Sequence, residues 1–186
     1  MFNEDKRKFI TDPDTKVLFP SVLVPSSYKG SPLKYSIRVI IPKSNTEEVK
    51  RLNEAVKAAY TAGADILRRN DGGLPPLDDI PTIIHDGEEK GGEGDYEDCY
   101  YLTVTSKTAP GVVDSRLEPI LDVNEIRSGD TCRVSMTFRA YSKDSYKGIT
   151  ARLNNVQKTG TAREKETGPA PGDDFSVLDT QDGLPF

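Results

Sequence analysis

The chain has 186 residues, 35% hydrophobic and 30% charged, which suits one domain of ordinary size with a sizeable core and leaves two domains cramped. Its net charge of −5 is unevenly spread: residues 78–98 carry −8 and residues 173–186 carry −4, so without those segments the total becomes +7, the electrostatic footprint of a polyanion binder. No run approaches the roughly 18 apolar residues of a membrane span, and MFNEDKRKF lacks an apolar signal core, so a soluble intracellular protein without membrane partners is expected.

Residues 1–14 read as an N-terminal arm. KVLFPSVLV at 16–24 and LKYSIRVII at 33–41 are β-branched and apolar, separated by a Pro, Ser and Gly cluster that reads as a turn. In the second run Tyr35, Ile37, Val39 and Ile41 share one face and Lys34, Ser36 and Arg38 the other, the period of a half-buried strand that Pro42 stops. The next segment, SNTEEVKRLNEAVKAAYTAGADILRRN, pairs Ser44 with Glu47 as a capping box and repeats Val49, Leu52, Val56, Tyr60 or Ala59, Gly63 and Leu67 at helical spacing. One amphipathic helix over 46–69 is predicted, with a bend or break at Gly63, where glycine costs about 1 kcal/mol against alanine.

Residues 71–98 are rich in Gly, Pro and acid and read as a long acidic loop. Strand signal returns in CYYLTVTS at 99–106, followed by a turn at Pro110 and Gly111 and a short run near 119–122. TCRVSMTFRAYS and KGITARLNNVQ then follow. In the former, Cys132, Val134, Met136, Phe138 and Ala140 alternate with Arg133, Ser135, Thr137, Arg139 and Tyr141. Residues 142–148 are expected to form the hairpin loop, with Ile149, Ala151 and Leu153 on the core face of the last strand. Cys99 and Cys132, with no CxxC spacing and no histidine cluster, read as buried strand residues rather than metal ligands or a disulfide. Residues 159–172 lack bulky apolar side chains and read as a flexible linker, and 173–186 as an acidic tail tethered to the domain.

Five or so strands interrupted by one long helix make a mainly β protein, a five-stranded Greek-key barrel over 15–158, with a β-sandwich plus helix as the alternative. For catalysis there is little: His85 lies alone in the loop, and neither a GxSxG elbow nor a GKS/GKT phosphate loop is present. The nine acids of 78–98 would suit a Mg²⁺-dependent nuclease only if rigid elements fixed them, and a glycine-spaced run reads as a solvated loop. No cofactor and no metal is expected.

Single-strand binders combine a basic groove with aromatics on which bases stack. The residues of that kind are Tyr28, Lys29, Lys34 and Arg38 in the first strand pair, Tyr101 and Lys107 around the middle strand, and Arg133, Arg139, Tyr141, Tyr146, Lys147 and Arg152 in the last hairpin. Any sheet with one solvated face shows the same residue types, so composition leaves both readings open. Tyr35 and Phe138, in phase with aliphatic neighbours, read as core.

LKYSIRVIIPKS with its following helix, YYLTVTSKTAPGVVD, SGDTCRVSMTFRAYS, KGITARLNNVQK and an acidic tail beginning DDF together resemble a family of bacteriophage single-stranded-DNA-binding proteins, first catalogued as a domain of unknown function. The resemblance spans about 15–186. It implies an OB fold and a non-enzymatic protein that coats single strands in phage replication or recombination, with little sequence preference, in the cytoplasm of the infected bacterium. It fixes no individual contact residue, and it leaves a homo-oligomer open.

The tail has a looser resemblance to the acidic ends of bacterial and phage single-strand binders, which close on an apolar or aromatic residue. That likeness implies a surface for replication or recombination proteins formed by Asp173, Asp174, Phe175, Asp179, Asp182 and Phe186, and a tethered anion able to compete with DNA. A non-DNA-binding structural or adaptor phage protein is the remaining alternative.

Overall fold

The structure, a computed structural model, describes residues 5–162. In chain order the elements are β1 (Lys8–Ile10), β2 (Lys16–Ser26), β3 (Lys34–Pro42), α1 (Thr46–Ala62), α2 (Ala64–Leu67), β4 (His85–Asp86), β5 (Cys99–Ser106), β6 (Gly111–Val113), β7 (Thr131–Lys143) and β8 (Tyr146–Gly160). The protein is mainly β with one long helix. Among the described residues no helix is long and apolar enough to cross a membrane.

Period-two alternation builds the core. Ile37, Val39 and Ile41 of β3 and Cys132, Val134, Met136 and Phe138 of β7 are all buried on one side of their strands. β8 needs a correction of phase to do the same, because Leu153 and Val156 are three residues apart and both buried. A bulge supplies it: Met136 pairs with Leu153 and Ser135 with Asn155, leaving Asn154 as the extra residue. Cys99 and Cys132 are buried free thiols, and burial pushes the Cys132 thiol up to about 12.

The five long strands form a closed circuit, β2-β3-β5-β8-β7 and back to β2, in which only β5 and β8 run parallel. Two closures are narrow. Thr105 opposite Arg152 joins β5 to β8, and Lys16 opposite Thr131 joins β2 to β7, reinforced by Val17 N–H to the Asp130 carbonyl and Cys132 N–H to the Thr15 carbonyl, both 2.9 Å. A closed circuit leaves few free edges. β1 and β6 flank it, on β7 and β8 respectively.

The helix lays Leu52, Ala55, Val56 and Ala59 against this core. Its cap is one residue later than the predicted Ser44 and Glu47 box: Asn45 Oδ1 accepts from Glu48 N–H at 3.3 Å, and Asn45 Nδ2 donates to Glu48 Oε2 at 3.0 Å. The predicted single helix over 46–69 is two, divided at Gly63. A β-carbon at Gly63 would lie 2.2 Å from that of Ala140, so glycine lets the helix break against β7 and turn Leu67 into the core.

Other boundaries also differ from the sequence reading. The segment read as an arm contains β1, and Phe9 is 2% exposed in the core. The hairpin loop is two residues, Asp144 and Ser145, since Lys143 pairs with Tyr146. β8 continues to Gly160, into the segment read as linker.

The acidic segment 71–98 is not a bare loop. Thr82 bridges Ile149 of β8, Ile149 N–H donates to the Pro81 carbonyl at 2.9 Å, and β4 pairs with β5 at Tyr101 and Tyr100. Residues 81–86 thus run from β8 to β5, across the part of the seam where those strands do not pair. Asp86 meets Lys43 and Asp95 meets Lys16, each at 2.8 Å, and Glu89 Oε2 lies 3.0 Å from His85 Nδ1.

Candidate nucleic-acid interface

Where β5 reaches β8, the outward faces of β3, β5, β7 and β8 border a cavity of about 630 Å³. Period two places Arg139, Tyr141 and Lys143 of β7 on this face, and pairing sets Thr150 opposite Arg139. The pairing of Thr105 with Arg152 brings in Lys34 from β3 and Lys107 after β5. The remaining lining is Ile83, Thr105, Ser106, Thr108, Thr150 and Ala151. Five cations therefore converge with no carboxylate in the wall, which focuses a positive potential into the groove. Such a groove tracks a phosphate backbone, and Tyr141 supplies a ring beside it.

Five of the predicted contact residues line the groove: Lys34, Lys107, Arg139, Tyr141 and Arg152. Tyr28 and Lys29 lie in the β2–β3 turn, Tyr28 being 73% exposed with the Lys29 ammonium 5.2 Å from its ring centre. Tyr146, 75% exposed, pairs with the groove residue Lys143 at the hairpin tip. Lys147 is on the opposite side of β8, where its ammonium donates to the Arg68 carbonyl after α2.

Arg133, Tyr101 and Arg38 are also placed away from the groove lining. Arg133 lines a separate cavity of about 310 Å³ with Ile10, Val113 and Leu117. Tyr101, expected to be an exposed stacking ring, is 6% exposed: His85 stacks on it at 5.2 Å, and Tyr96 meets it edge-on at 5.2 Å. Burial, with Glu89 adding to it, pushes its phenol up. Arg38 packs beside it, with Nε donating to Thr103 Oγ1 at 3.0 Å and Nη1 to Tyr96 Oη at 2.8 Å. Lys143 is the groove cation that the sequence reading missed. Continuing the alternation of 139 and 141 by one step would have found it, had 142–148 not been taken for a loop. The tail residues Asp173, Asp174, Phe175, Asp179, Asp182 and Phe186 lie outside the described residues.

Among the described residues no three His, Cys, Asp or Glu side chains converge as metal ligands. Asp86, Asp95 and Glu89 are instead turned to Lys43, Lys16 and His85, so these carboxylates do not assemble the centre that a nuclease would need.

A five-strand circuit with a cationic groove on its outer face, its lining free of carboxylates, is a β architecture with the surface chemistry that suits a polyanion. The model of the family described as Enterobacter phage Enc34, ssDNA-binding protein, matches residues 7–184, and the chain belongs to that family. It is a family of binding proteins rather than enzymes.

Solved structures share the fold. The single-stranded-DNA-binding protein from bacteriophage Enc34 in complex with ssDNA is 21% identical, with 84% of this chain and 88% of that chain covered at a TM-score of 0.65. The same phage protein in another structure is 17% identical, covering 91% and 90% at 0.66. Gp2.5, a single-stranded-DNA-binding protein encoded by bacteriophage T7, is 16% identical, covering 88% and 98% at 0.59. No curated protein matches the chain at the sequence level.

Proposed function

We propose that this protein binds single-stranded DNA without sequence preference along the groove between Lys34, Lys107, Arg139, Lys143 and Arg152, with Tyr141 stacking on a base. The observation that carries this reading is the convergence of five cations and a tyrosine with no carboxylate in the lining. Phosphates and base faces are common to every sequence, so no base-edge code is required. The five-strand circuit serves as an OB-type barrel whose turns, with Tyr28, Lys29 and Tyr146 at their tips, extend the path. Family membership and the solved complex of the Enc34 protein with ssDNA support the same partner.

In this reading the protein coats transiently exposed strands during phage replication or recombination in the host cytoplasm. Its C-terminal residues 173–186 recruit replication or recombination proteins, with Phe186 as the docking residue.

A gel-shift comparing oligo-dT with duplex DNA tests the core of the proposal. Retention of the single strand, with a log-log salt slope near −3.5 for five neutralised phosphates, is expected, since each single-strand contact contributes roughly −0.7. Absence of a single-strand shift at low salt would sink the proposal. Incubation of labelled strands with Mg²⁺ is expected to leave them intact, which separates binding from nuclease action.

A further inference from the structure

Phe19 is an aromatic residue that the fold exposes at a backbone cost. The residue is 62% exposed, and its φ is +49°, in the left-handed region that a bulky residue rarely adopts. The residue also precedes Pro20, which narrows its allowed conformations further. The strain arises at an irregularity in β2: Leu18 pairs with Arg38, and pairing resumes only at Ser21 with Ser36. Ser128 Oγ holds the displaced backbone by accepting from Phe19 N–H at 2.8 Å. A strained, exposed ring outside the core is a departure that points toward a ligand.

The position of the ring suggests which ligand. Outward-facing positions continue from the groove along β3 through Ser36 to Arg38, and along β5 from Thr105 to Thr103, small side chains that keep the face open. Phe19 sits at the far end, where the Arg38 guanidinium carbon lies 5.3 Å from its ring centre and 5.1 Å from that of Tyr101. Thr103 and Tyr96 hold Arg38 there. One face of an exposed ring thus rests on a fixed cation, and a phosphate-bearing base fits that pair: ring against ring, phosphate against guanidinium.

We infer that Phe19 is a second base-stacking platform, at the opposite end of the strand path from Tyr141, and that Arg38 meets the adjoining phosphate. This rests on the single-strand-binding reading above. It adds a site to that path, one covering β2 and β3 as well as the last hairpin.

The sequence contains no tryptophan, so Phe19→Trp in the full chain creates a single reporter. Its emission is expected to fall on saturation with oligo-dT, while anisotropy of a labelled oligomer monitors binding separately. Unchanged emission at saturation would overturn the inference. Phe19→Gly removes the ring and relieves the positive φ. It is expected to melt no lower than the natural chain while binding oligo-dT about tenfold more weakly. A lower melting temperature with unchanged affinity would mark a merely structural ring and overturn the inference alone. Failure of the unaltered chain to bind oligo-dT would overturn the function itself.

Discussion

Tyr141 lies across Gly148, its pairing partner in the β7–β8 hairpin: a β-carbon on Gly148 would stand 2.9 Å from the tyrosine hydroxyl and 3.0 Å from Cε1. The same carbon would be 2.7 Å from the Pro81 carbonyl oxygen. The absent side chain therefore makes room on one side for the ring in the groove and allows the acidic segment to close on β8. One glycine couples the groove to the seam.

Gly148→Ala is accordingly expected to destabilise the fold by about 1 to 3 kcal/mol, because both neighbours must move to accept one methyl group. Oligo-dT affinity is expected to fall with it as Tyr141 is displaced. Urea unfolding and a DNA titration of the same preparation check the two effects. Full stability would show that residues 81–83 yield easily.

Arg139→Ala and Lys107→Ala are each expected to weaken oligo-dT binding and to lower the magnitude of the salt slope by about 0.7. Arg133→Ala, in the separate cavity beside Val113 and Leu117, is expected to leave both quantities unchanged. A salt titration of the three variants checks the location of the path. An Arg133 effect as large as that of Arg139 would move it toward the other end of β7.

Asp130 links acid stability to the narrow closure of β2 on β7. It is 1% exposed, and burial alone would raise its pKa. The N–H groups of Ala162 and Arg127, at 2.7 and 2.9 Å, together with Lys158 at 3.5 Å, outweigh burial and lower it. A carboxyl with a depressed folded pKa contributes stability above its unfolded value, near 3.8, and loses that contribution as pH falls through the folded one. Asp130→Asn is therefore expected to cost about 1 to 2 kcal/mol at neutral pH. The difference from the natural chain should shrink below about pH 4. Buried Glu48, which burial raises, acts in the opposite sense: its contribution is present below its unfolded value and lost as pH rises through the folded one. Denaturant unfolding at stepped pH, compared between variant and natural chain, separates the Asp130 effect.

Deletion of residues 173–186 removes a charge of −4 from a chain whose domain carries a groove of five cations with no carboxylate in its lining. Affinity for oligo-dT is expected to persist or rise at low salt, because a competing tethered anion is gone. Titration at two salt concentrations checks it. Lost binding would place part of the DNA site in the tail and contradict the division of labour proposed here.

The local chemistry of the chain was legible from order alone. Alternation identified the core faces of Ile37 to Ile41 and of Cys132 to Phe138, and Gly63 marked the helix break. It also put Lys34, Arg139, Tyr141 and Arg152 on outward positions, because a strand's period of two sorts side chains without knowledge of the partner strand. What order could not reveal is which outward positions face one another. Thr105 meets Arg152, and Thr82 meets Ile149, through pairings that leave no periodic trace in either segment. Those pairings gather five cations into one groove, cover Tyr101 with His85 and Tyr96, and leave Phe19 exposed over Arg38. Burial and convergence are properties of distance in space, so only the closed circuit of strands decided them.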